Sequence, residues 1–151
     1  MIDEATYRYS AAKSYLESAK MIYLSEHNQG SRVILVVLPM HMLVSFSLEL
    51  FFKAWLLRFG VPSAEVRKLG HRMADLYTAA KAARLPSIEL LDDIVALFAG
   101  SEADFTYRYI GEGDHIQVAG WPAVFPVLDQ LNETVDRFVG ASAANGLPPG
   151  H

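Results

Sequence analysis

The chain has 151 residues, 52% of them hydrophobic, which suits one domain closing one substantial core. Its 13 Lys and Arg stand against 17 Asp and Glu, a formal charge of −4, so no chain-wide basic field draws it to nucleic acid or an anionic membrane; any RNA site must be a local basic patch. The absence of cysteine excludes a disulfide framework, thiolate chemistry and a zinc finger, and accords with a reducing compartment.

The opening "MIDEATYRYS" carries acidic residues where a secretory signal carries basic ones, so a cytoplasmic product is expected. From Tyr7 to Tyr23 the positions Tyr7, Ala11, Tyr15, Ala19, Ile22 and Tyr23 recur at three and four, which predicts a first helix with that face inward. Its tyrosines suit a core face better than a base-stacking one. "EHNQGS", 26–31, then breaks the pattern with turn-forming residues.

The segment from Val33 to Leu50 is apolar enough to raise the question of a membrane span, which needs roughly 20 such residues. Pro39, His41, Ser45, Ser47 and Glu49 interrupt it, so a buried core helix is expected, starting near Pro39, where a missing N–H costs least, and stopping at Gly60 ahead of Pro62. Its one polar line is His41, Ser45, Glu49 and Lys53, spaced by four, with Glu49 and Lys53 placed for an ion pair. So little polar surface predicts a central helix, and a homodimer.

A turn around "SAEVRKLGH" leads to a third helix through Met73, Leu76, Tyr77, Ala80 and Ala83. Ser87 is placed to cap a fourth, with Ile88, Leu91, Ile94, Val95 and Phe98 inward and Gly100 near its end. Asp92 and Asp93, adjacent and therefore about 100° apart on a helix, suit a solvated face rather than a carboxylate pair. "TYRYI" and "HIQVA", flanking "GEGD", alternate and are β-prone, so the segment 107–118 is expected as a short hairpin or an irregular loop. The last helix starts after Trp121, tolerating Pro122 and Pro126 near its first turn, and presents Val124, Leu128, Leu131, Val135 and Phe138 to the core. The expected architecture is all-α: an up-and-down bundle of four to five helices over residues 1–140, then a poorly ordered tail, 141–151, or one held only by contacts with neighbours.

The chemistry is sparsely marked. His27, His41, His71, His115 and His151 are scattered without metal-ligand spacing, and phosphate-loop, dinucleotide and nucleophile-elbow motifs are absent, so neither a metal nor another cofactor is expected. Arg67, Lys68, His71 and Arg72 make the one local basic cluster, able to touch phosphates, although a Gly-His at a helix start also serves as a cap or packing contact.

"SFSLELFFKAWLLRFG", Ser45 to Gly60, followed by "LGHRMADLY", Leu69 to Tyr77, resembles HEPN domains, in which an apolar helix with a spaced Glu and Lys ends at Gly and a Gly-His leads into the next helix. The likeness extends loosely over Tyr7 to Phe138. It implies a helical bundle that usually dimerises. Many members carry an Arg and a His separated by four to six residues and cleave RNA without metal at the dimer cleft. Arg108 and His115 enclose six residues and meet that spacing. A histidine can move the 2′-hydroxyl proton and a guanidinium can meet charge on the phosphate. Two features depart from the catalytic pattern: Tyr109 follows Arg108 where a polar residue is usual, and Gly111 and Gly113 separate the pair from the last helix. With Tyr107 or Tyr109 packed beneath it, Arg108 would instead order the loop. The favoured expectation is a non-catalytic module binding RNA, a nucleotide or a protein partner such as a nucleotidyltransferase, as in toxin–antitoxin pairs. The alternative is a metal-independent endoribonuclease using Arg108 and His115.

Overall fold

A computed structural model describes residues 2–103 and 119–151, with side chains through 100 and from 119 onward. Six α-helices, and no strand among the described residues, make the all-α bundle: α1 (Glu4–Tyr23), α2 (Val33–Arg58), α3 (Ser63–Leu69), α4 (Met73–Ala82), α5 (Leu91–Ala103) and α6 (Trp121–Val139). The segment read as a hairpin or loop lies outside the described residues.

α1 begins where Asp3 accepts from the Thr6 N–H at 2.8 Å, one of the donors a helix start leaves unpaired. Its buried stripe is Ala5, Tyr9, Ala12, Leu16 and Ala19; of the expected face Ala19 is buried and Ile22 and Tyr23 pack partly on the core, whereas Tyr7 is 62% exposed and Tyr15 36%. Both stripes have helical period, so periodicity could not choose between them. Three alanines on the chosen stripe let α2 approach closely, and the Ser47 hydroxyl donates across that contact to the Ala12 carbonyl at 2.8 Å.

α2 is the central element, packing against α1, α3, α4, α5 and α6. It starts at Val33, six residues before the expected start at Pro39, which lies inside it. A proline interrupts a helix by removing one hydrogen bond and crowding the preceding turn. Here Pro39 and Leu35 both face outward, where water can meet the carbonyl left without a donor. The helix ends as expected. Gly60 adopts φ +83°, and the Val61 N–H reaches the Leu56 carbonyl at 3.0 Å while the Gly60 N–H reaches Leu57 at 3.2 Å, a Schellman closure. Within Gly30–Arg58, the turn before it included, an 18-residue window has a mean hydropathy of 2.1, enough by length and composition to cross a membrane, and 39% of that window is buried. From Met40 to Leu56, however, most of it is buried against the other helices.

The stretch expected as a turn contains α3. Only Val66 in it is buried, and one apolar anchor leaves no periodic signal to read. α4 buries Met73, Leu76, Tyr77 and Ala80 as expected, and the Trp55 indole N–H closes its end by donating to the Ala83 carbonyl at 3.0 Å. α5 starts at Leu91 rather than from a Ser87 cap. Leu85 and Ile88 are buried beforehand, and Leu90 takes φ +67°, so the chain is extended and turned there before it can coil. α6 runs from Trp121 with Pro122 in its first turn. Its Phe138 is 50% exposed rather than inward, its ring set against Trp55 and Phe59 at 5.1 and 5.3 Å.

The tail folds back on α6. Asp136, buried, accepts from the Ser142 and Gly150 N–H groups at 3.2 and 2.7 Å, and Asn132 links the Tyr9 hydroxyl to the Gly150 carbonyl at 2.8 and 2.9 Å. Burial alone would raise the Asp136 pKa. The bonds from Ser142, Gly150 and Tyr9 outweigh it and hold the carboxyl below its ordinary value.

Candidate functional site at the Gly70–His71 corner

The polar line on α2 faces protein rather than water: His41 and Glu49 are 0% and 3% exposed, and Ser45 is buried. His41 sits between Trp121 and Phe98, ring centroids 4.8 and 5.3 Å away, and its Nε2 accepts from the Ala119 N–H at 3.2 Å. Burial pushes its pKa down to about 4, so near neutrality the ring is uncharged and serves the core as an acceptor.

One turn further along, the line becomes a site. A buried carboxylate is costly unless paired and hydrogen-bonded. Glu49 Oε1 accepts from Lys53 Nζ at 2.5 Å, and His71 Nδ1 lies 3.0 and 3.1 Å from the two carboxylate oxygens. Lys53 is nearly enclosed, its side chain 12% exposed, while that of His71 is 74% exposed. The approach depends on Gly70, whose φ of +60° ends α3 and turns the chain so that the next residue drops its ring edge onto α2.

An ionised carboxylate has no proton to give, so the Nδ1–H of His71 is the donor. In the neutral imidazole Nε2 then carries the lone pair, and it is the ring edge away from Glu49. The result is a histidine whose tautomer and orientation are set from behind and whose outer nitrogen can accept a proton, bind an electrophile or receive a hydrogen bond. By contrast His27 is exposed, 4.0 Å from a still more exposed Glu26, a contact that fixes little.

The basic cluster divides. Arg72 is committed to structure: its guanidinium donates to the Leu69 and Lys68 carbonyls at 3.2 and 3.1 Å, closing α3, and pairs with Asp75 at 2.8 Å. Arg67 and Lys68, in the last turn of α3, are exposed beside the corner. An apolar hollow of about 500 Å³ opens between α2, α3 and α4, lined by Leu56, Val61, Leu69, Ala79 and Ala83 among others.

Arg108, His115, Tyr107 and Tyr109 lie outside the described residues. Among those described, no three His, Asp or Glu side chains converge as metal ligands. Sequence reading treated Glu49–Lys53 as an ion pair and His71 as part of a basic cluster, and missed that they are one group. The available signal was a Glu and a Lys spaced by four on an apolar helix, followed by Gly-His; the bond between Glu49 and His71 supplies a physical reason for those residues to occur together. Compared with family models, curated proteins and solved structures, the chain has no significant match.

Proposed function

We propose that the chain is a HEPN-like homodimeric binding module that recognises the phosphate of RNA or a nucleotide at the Gly70–His71 corner. The observation that carries this reading is the exposed imidazole held on a buried carboxylate, with Arg67 and Lys68 exposed on the adjoining turn. A net acidic protein has no general attraction for nucleic acid, so recognition rests on such a local patch. A ring with one donor fixed inward can accept a hydrogen bond from a ribose hydroxyl when neutral or donate to a phosphate when protonated. The apolar hollow, which reaches toward the corner only at Leu69 and also has Glu65 in its lining, offers a surface for a base or a partner side chain.

Dimerisation is proposed from the other end of the α1–α2 pair. Met21 and Leu24 are 72% and 80% exposed, Ile34 and Leu35 75% and 68%, an apolar group that a second copy would cover. The test of binding is a titration of AMP, ATP and short single-stranded RNA followed by amide NMR. Shifts are expected at Arg67, Lys68 and His71, and the double variant Arg67→Ala, Lys68→Ala should weaken binding about tenfold at low salt. Equal affinity in the double variant would remove the corner as the site. Metal-independent cleavage of the RNA, lost in His115→Ala, would move the assignment to an endoribonuclease built on Arg108 and His115.

A further inference from the structure

We infer that Nε2 of His71 is a phosphoryl acceptor, taking a phosphoryl group from a phosphoramidate-type (P–N) donor, with Glu49 as its positioning residue. It shares the corner with the proposed binding site but does not require RNA or a nucleotide to bind there.

Three features of the corner converge. The ring is exposed on the side of Nε2 and anchored on the side of Nδ1, so the nucleophilic lone pair is presented in one direction. When Nε2 attacks phosphorus, the new P–N bond leaves the ring positively charged, and the buried Glu49 carboxylate stands 3.0 Å from Nδ1, whose N–H shares this charge. Lys68, exposed in the last turn of α3 three residues before His71, adds positive charge near the corner for the incoming phosphoryl oxygens, while Arg67 in the same turn is drawn partly to Glu4.

The donor class follows from what the corner lacks. Lys53 is committed to Glu49, and Arg72 to carbonyls and Asp75, and ammonium and guanidinium groups in general, Lys68 and Arg67 beside the corner included, are weak acids near neutrality, so none of these described residues is suited to protonate a leaving group. A phosphoramidate near neutrality already carries its proton on the leaving nitrogen. As the Nε2–P bond forms, the P–N bond of the donor breaks and a neutral amine departs with the electron pair. The proton on Nδ1 then stays in the bond to Glu49 or passes to water. Phosphorus keeps its oxidation state and no further reactant is needed.

The full chain is incubated with potassium phosphoramidate at neutral pH, and modification is followed by 31P NMR and site-resolved mass spectrometry. The expected result is an acid-labile phosphoryl group on Nε2 of His71, formed at least about tenfold faster than on the exposed His27 and His151, with Glu49→Gln bringing His71 down to their rate. Equal rates at the three histidines in the wild-type chain, or attachment at Nδ1 of His71, overturns the inference. Because Glu49→Gln changes a buried charge and can cost the fold, the wild-type tautomer is also read by 15N NMR. Nδ1–H is expected, and an Nε2–H form overturns the inference without any variant. Nucleotide binding that persists while phosphorylation fails separates this inference from the binding reading.

Discussion

Removing Glu49 should cost more than removing Lys53, although the two form one ion pair. In Glu49→Ala the ammonium of Lys53, its side chain 12% exposed, loses its partner at 2.5 Å, and the Nδ1–H of His71 loses its acceptor. Breaking a fully buried pair from one side costs about 3–5 kcal/mol. Lys53 has a long stem and a path to water, so about 2–3 kcal/mol is the expected figure. In Lys53→Met the stem is replaced by an apolar chain of similar length, and Glu49 keeps its bond to His71, so the cost should be about 1 kcal/mol. For a domain of this size each kcal/mol moves Tm by roughly 2–4 °C, so the difference of about 1–2 kcal/mol should place Glu49→Ala about 2–8 °C below Lys53→Met in thermal melts. His71→Ala serves as the third arm. Its ring is mostly solvated, and it should lose no more than about 1 kcal/mol. If Lys53→Met melts at or below Glu49→Ala, the carboxylate is not the hub of the group, and its bond to His71 does not offset the loss of Lys53.

Acid should destabilise the fold through His41. Its folded pKa is lowered to about 4 from 6.5, so the unfolded chain binds the proton first; stability is intact above about pH 6.5, falls as pH drops toward 4, and the loss reaches about 3 kcal/mol at most. Urea midpoints between pH 7 and 4 measure it, and a His41→Gln variant with the same slope would refute the assignment. Asp136→Ala should release the tail, because two backbone N–H groups lose their acceptor at a cost of about 2–3 kcal/mol; hydrogen exchange at Ser142 and Gly150 should accelerate, and unchanged exchange would contradict the latch. The Asp136 contribution runs in the same sense with pH: its folded pKa is lowered, so stability is present above the ordinary carboxylate value of 3.8 and is lost as pH falls below it. Light scattering at micromolar concentration should give a dimer for the wild-type chain and a monomer for Ile34→Asp with Leu35→Asp. A wild-type monomer would remove the dimer proposal.

Local sequence carried the helices wherever a stripe or a stop signal was strong. α4 and α6 lie close to where periodicity put them, and Gly60 with Pro62 ends α2 because a left-handed glycine and a missing N–H act within one turn of the chain. Signals that depend on what lies opposite were not legible. The phase of α1 was decided by what packs on it, which buries Ala5, Tyr9, Ala12, Leu16 and Ala19, leaves Tyr7 in solvent and puts Tyr15 at the edge, its ring 5.4 Å from that of Phe46 on α2. Pro39 stays inside a helix because its side of α2 meets water, and α3 forms around one buried valine.

The candidate site divides in the same way. Its parts were visible as residue types: Glu49 and Lys53 by their spacing of four, His71 by the glycine before it and the basic residues around it. That they make one group was not visible, because Glu49 and His71 are 22 residues apart and meet only after Gly70 turns the chain back onto α2. The tail shows the same limit. Its composition of Ala, Gly, Pro and Ser suggests little to bury, yet the buried Asp136 carboxylate on α6 needs donors and finds them in the Ser142 and Gly150 backbone. A sequence specifies which groups must be satisfied, through their chemistry, and which backbone shapes are cheap, through glycine, proline and period. Which group satisfies which is a matter of distance, and distance between remote residues exists only once the helices have packed.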